Sequence, residues 1–283
     1  MSGVIHDIGY QRYQGARLGR GYAVGSLYLH SLRTGFGLGR SAKAKIFPWL
    51  VAGMVGIVAV VLTAVRAAVG QMPLTYLEFS DAVFPLTLLF GAVVAPELVS
   101  RDLRGGVLPL YLSRPLRRSD YALAKLTALV SALWLLLSGP LAVMFLGGLF
   151  SVDGWAAIWD ETGDFAAGLA YAALHAAMVG AIALLIASLM GRRAVAAGAI
   201  VAVFLVTLPV VGVLEEAGSG DVVHMAGLFS PATMLSGLHA WLFSNPGPED
   251  FPGPYGPLYL AVAIGLVSAC VGLLLLRYRR VQR

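Results

Sequence analysis

Six stretches of this chain, at about 47–65, 79–99, 122–149, 165–190, 194–214 and 257–276, are apolar for long enough to cross a bilayer. A hydrocarbon core of about 30 Å takes roughly 20 residues of helix. In lipid every backbone N–H and C=O needs a partner within the protein, which leaves only helices and closed barrels. The runs are far too long for barrel strands, so an all-α membrane protein is predicted. Composition agrees. Charged residues make up 12% of the chain and hydrophobic ones 58%, with a mean hydropathy of +0.80. A soluble domain carries about 25% charged residues, so most of this surface must face something other than water.

The loops decide orientation. Nineteen of the twenty basic residues fall on alternate segments. They are Arg12 to Lys45 before the first run, Arg101 to Lys125 between the second and third, Arg192 and Arg193, and Arg277 to Arg283. Only Arg66 falls on the other side, where most of the acidic residues lie. Positive segments stay in the cytoplasm. The expected layout is a cytoplasmic arm at 1–46, six spans within 47–276, and a basic cytoplasmic tail at 277–283 of a cell-membrane protein. No apolar leader precedes residue 45, so insertion is expected to rely on the first span. The net charge of +5 does not imply nucleic acid, because the basic residues follow membrane topology.

Ionisable groups within the spans are scarce. Glu97 and Arg66 lie at span ends, and His175 alone lies well inside one. A charge at mid-bilayer costs roughly 2.5–3.5 kcal/mol on insertion scales, so this scarcity argues against an ion-coupled pump. His175 reads either as a relay or ligand, or as a neutral imidazole bonded to a neighbouring helix. Gly168, Ala172, Ala176 and Gly180 recur every four residues in the fourth span, making a groove for close helix approach. That groove suits a subunit interface or an intrachain contact. Pro85, Pro96, Pro140 and Pro209 interrupt spans. The single cysteine, Cys270, excludes an intramolecular disulfide.

Two cytoplasmic pieces have structure of their own. Tyr28, Leu32 and Phe36 lie four apart within 22–36, which suits a helix in the headgroup region with basic residues toward anionic lipid. Between the second and third spans, Gly105 and Gly106 end a helix, Val107 to Leu112 form an apolar run, and Pro115 stops it. Ser119 or Asp120 is expected to cap the third span. Apolar residues outside the membrane, ringed by arginines, read as a docking knob for a soluble partner.

The segment Glu97…Arg101-Asp102-x-Arg104-x-Gly106-x-Leu108…Ser113-Arg114-Pro115-Leu116…Lys125 resembles that of ABC transporter permeases, specifically the six-span type-2 exporter class. The resemblance implies that a short helix over 106–113 docks into an ATPase subunit. Gly106, Leu108, Leu110, Tyr111 and Leu112 would make the contact, flanked by Arg101, Asp102, Arg104 and Arg114. It also implies a second permease subunit, and a re-entrant outer segment between the last two spans. Residues 225–243 suit the latter as two half-helices meeting near Ser230-Pro231, followed by a proline-rich turn. With lysines only at 43, 45 and 125, the chain has no Gly-x-x-x-x-Gly-Lys-Ser/Thr phosphate loop. ATP and Mg are therefore expected on separate ATPase subunits, with no cofactor, metal or catalytic residue in this chain. The expected function is export of a hydrophobic or amphipathic cargo such as a drug, antibiotic or lipid-like molecule. The alternative is a membrane-embedded enzyme or scaffold whose acidic outer residues Asp160, Glu161 and Asp164 bind a divalent cation.

Overall fold

The computed structural model describes residue 15 and residues 18–106, 116–243 and 251–280, apart from the side chains of residues 101, 103, 104 and 280. Among the described residues the chain is helical and contains no strand. Five helices are long and apolar enough to cross a membrane: α2 (Ala42–Val69), α5 (Arg118–Leu149), α6 (Trp155–Leu189), α7 (Arg193–Ala217) and α10 (Gly256–Arg280). A sixth span is obtained if α3 (Tyr76–Ala82) and α4 (Phe84–Arg104) count as one. These two meet at a bend of 56°. Its cause is local. Pro85 has no N–H to give the Asp81 carbonyl and its ring crowds that carbonyl, so the ladder breaks one turn ahead of it. Thr75 and Glu78 form a capping box that starts α3, with the Thr75 N–H donating to Glu78 Oε2 at 2.7 Å.

Charge pairs gather the helix ends into two sets. Arg20 of α1 (Arg20–Gly35) makes two bonds to Asp120, of 2.7 and 2.5 Å, at the start of α5. Arg118 donates to the Arg279 carbonyl at 2.8 Å, and Glu97 of α4 pairs with both Arg40 and Arg193. The arginine-bearing starts of α2, α5 and α7 thus meet the ends of α4 and α10. Asp120 does not cap α5 as expected. The cap is Arg117, and Asp120 accepts its backbone N–H from the third helical position at 2.9 Å. At the opposite end Arg66 of α2 meets Tyr76 of α3 and Glu161 of α6.

α6 is the central helix. Within its apolar window 67% of residues are buried, against 22% for α2, α7 and α10. The outward faces of those three carry Ile57, Val61, Val206, Val213, Ile264 and Leu273, all more than half exposed. In water such a continuous apolar belt would be a liability, whereas in lipid it is the ordinary surface. The stripe Gly168, Ala172, Ala176 and Gly180 is buried within the chain. A Cβ on Gly168 would lie 2.6 Å from Cβ of Tyr76 in α3, and one on Gly180 would lie 2.8 Å from Val130 in α5. Gly168→Val is therefore expected to cost about 1–3 kcal/mol through overpacking. Thermal unfolding in detergent measures this, and an unchanged midpoint would mean that α3 yields freely.

α1 lays Val24, Tyr28, Leu32 and Phe36 against the core, and the Tyr28 hydroxyl donates to Ser131 Oγ at 3.0 Å. Between α7 and α10 the chain forms α8 (Asp221–Ala226), a single 3₁₀ turn at Gly227–Phe229, a break at Ser230, and α9 (Pro231–Phe243). Tyr259 of α10 packs on Gly227 and Gly237 and donates to the His224 carbonyl at 2.8 Å.

Candidate functional site

The expected docking knob lies between α4 and α5. Leu108, Leu110, Tyr111, Leu112 and Arg114 fall outside the described residues, as do the side chains of Arg101 and Arg104. The neck from which that segment leaves is described. α4 ends at Arg104, and Gly106 has φ +61°, a left-handed conformation that glycine adopts without penalty. Asp102, one turn earlier, reaches into the bundle. Its Oδ2 accepts from Lys125 Nζ at 2.9 Å and from the Tyr121 hydroxyl at 2.7 Å. Lys125 is 4% exposed and Tyr121 wholly buried, and the ammonium lies 5.5 Å from the Tyr121 ring centre. The buried Tyr278 ring of α10 packs on Tyr121 at 5.3 Å. Ser100 Oγ donates to the Ala187 carbonyl of α6 at 2.9 Å. The base of the loop is thus tied to α5 and α6 by buried polar contacts, which in low dielectric are strong and directional, and α10 packs on it through the Tyr278 ring.

A second cluster sits at the bend. Asp81 Oδ1 accepts from the Tyr171 hydroxyl at 2.7 Å and faces His175 Nε2 at 3.1 Å, while its Oδ2 faces His239 Nδ1 at 2.8 Å. With the carboxylate as acceptor, both imidazoles present an N–H to it. His175 Nδ1 is buried and has no hydrogen-bond partner among the described residues. Tyr171 also approaches the Leu235 carbonyl at 2.9 Å. One carboxylate therefore joins α3, α6 and α9. Sequence reasoning found His175 but not its partner, which lies 94 residues away.

The third cluster contains Glu161, one of the three acidic residues considered from sequence for a cation site. Arg66 makes a two-pronged bond to Glu161, both arms at 2.7 Å, and the Tyr76 hydroxyl donates to Glu161 Oε1. Glu161 belongs to the first turns of α6, which begins ten residues before the span predicted there, and both partners are largely buried. Its charge is already spent on Arg66. Among the described residues no group of three His, Cys, Asp or Glu side chains is arranged to hold a metal ion.

No protein-family model matches this chain, and no curated protein is significantly similar to it. Among the described residues the fold is all-α, with five or six helices long and apolar enough to cross a membrane.

Proposed function

We propose that this chain is the membrane subunit of an ATP-driven exporter, pairing with a second permease subunit and powered by separate ATPase subunits. The neck formed by Asp102, Lys125 and Tyr121 carries the reading. It holds the outgoing helix of the loop against the incoming one, so a force on the segment between them moves α4 and α5 together. That segment has the composition of a docking surface, with Leu108, Leu110, Tyr111 and Leu112 among arginines. In this reading the arginine-rich end is cytoplasmic, the segment 106–113 rests on the ATPase, and α8 and α9 form the re-entrant outer piece. The scarcity of charge along the spans suits a hydrophobic or amphipathic cargo.

Changing Tyr111 and Leu112 together to Ala is expected to leave membrane insertion intact. An anchor at an interface centre contributes about 2 kcal/mol or more, or roughly thirtyfold in affinity. The ATPase subunit is expected to dissociate during detergent purification, and transport-linked ATP hydrolysis to disappear. A double variant that keeps a fully coupled ATPase would overturn the assignment.

A further inference from the structure

A cavity of about 340 Å³ opens at the arginine-rich end, where the elbow between α1 and α2 meets α4 and the start of α7. Arg40, Lys43 and Arg193 line it, with Glu97 as the one carboxylate and Phe47 and Val93 on its apolar side. Three cations against one anion leave a formal surplus of +2 on the lining side chains. Glu97 bridges Arg40 and Arg193 and so holds both guanidinium groups at the rim. Lys43 is exposed and has no polar partner among the described residues.

The backbone adds to this charge. Lys43 lies in the first turn of α2 and Arg193 begins α7, so two long helices start at the cavity. Neither has a side-chain cap bond or an acidic residue in its first turn. Their free N–H groups and dipoles leave additional partial positive charge that ordinarily attracts an anion. One flank continues onto Ile46, Trp49 and Leu50 of α2, each more than half exposed on the face of a helix apolar enough to span. A ligand here meets positive charge at one end and lipid-facing surface at the other. The volume falls within the range of small-ligand sites, roughly 300–1,000 Å³.

We infer that this cavity binds a phosphate group, the headgroup phosphate of an anionic phospholipid or a free phosphate. The apolar flank favours the phospholipid. Bound there, the headgroup cross-links the α1–α2 elbow to α4 and α7, and its acyl chains lie along α2. The site needs the chain to be embedded in a membrane but does not need an ATPase partner, so it stands or falls apart from the exporter reading.

The test uses the full chain, delipidated in neutral detergent and titrated with dioleoyl-phosphatidylglycerol or dioleoyl-phosphatidylcholine, with bound lipid counted by native mass spectrometry. The anionic lipid is expected to bind about tenfold more tightly. Lys43→Glu, at a residue with no hydrogen bond or ion pair among the described residues, is expected to remove that preference. Lys45→Glu, an equal charge change on the same turn but outside the cavity, is expected to leave it intact. Inorganic phosphate distinguishes the two sources. Phosphate alone raising the unfolding midpoint of the wild type but not of Lys43→Glu identifies the phosphate group itself as sufficient. Selective phosphatidylglycerol binding without that rise identifies the lipid headgroup. Equal binding of the two lipids with no stabilisation by phosphate would overturn the inference. So would equal losses in Lys43→Glu and Lys45→Glu, which would reduce the effect to surface charge.

Discussion

Replacing Asp81 with Asn is expected to cost roughly 1–3 kcal/mol of stability and to release α9 from the bundle. Asp81 accepts from Tyr171, His175 and His239, which belong to α6 and α9. An amide in its place keeps one acceptor oxygen and turns N–H donors toward a donor already there. A buried donor left unpaired costs about 1–3 kcal/mol, and while Tyr171 keeps the Leu235 carbonyl, the two histidines lose their carboxylate acceptor. The local consequence separates this from a general loss of stability. Leu238 of α9 is fully buried, so a Leu238→Cys probe with Cys270→Ser should resist a thiol reagent in the wild-type background. With Asp81→Asn it is expected to label under conditions where the helical signal is unchanged. A probe that stays protected would mean that Tyr259 and the glycines it packs on hold α9 unaided.

How much of this was visible beforehand differs by residue. The apolar runs declare themselves because lipid imposes one length and one backbone solution on every span. α2, α7 and α10 accordingly cover the predicted runs with a few residues added at each end. α6 begins at Trp155, ahead of the span predicted there, so that Asp160, Glu161 and Asp164, which read as loop, lie on a helix. Glu161 is paired there with Arg66, 95 residues earlier, which its local sequence does not reveal. The bend at α3 was hidden for a related reason. Pro85 was visible, yet the other interrupting prolines, at 96, 140 and 209, lie inside continuous helices. What distinguishes Pro85 is that the turn it breaks carries Asp81, whose carboxylate finds partners on α6 and α9. Likewise the spacing of Gly168, Ala172, Ala176 and Gly180 announced a close approach without saying to what. The partners, Tyr76 and Val130, come from two other helices. Local sequence reports periodicity and transfer energy, while the polar clusters depend on pairings that only the assembled bundle makes.

Lys125→Met is expected to lower stability by about 3–5 kcal/mol, because among the described residues it leaves the Asp102 carboxylate with the Tyr121 hydroxyl alone as donor in a poorly hydrated neck. Adding Asp102→Leu is expected to recover a large part of that loss. Removing both charges removes both desolvation penalties, and apolar replacements for a buried pair are often neutral or better. Unfolding free energies of the wild type, both single variants and the double variant close a thermodynamic cycle, with an expected coupling of about 1–3 kcal/mol. The same variants separate two roles in the proposed exporter. Tyr111 and Leu112 would bind the ATPase, so their loss frees it. Lys125 lies behind the docking segment and would transmit its movement, so Lys125→Met is expected to retain the ATPase while transport falls relative to hydrolysis. The double variant is expected to regain stability without regaining that coupling, since α4 and α5 are no longer tied by charge. Full coupling in the double variant would make the pair a packing element alone, and the neck would then cease to support an exporter.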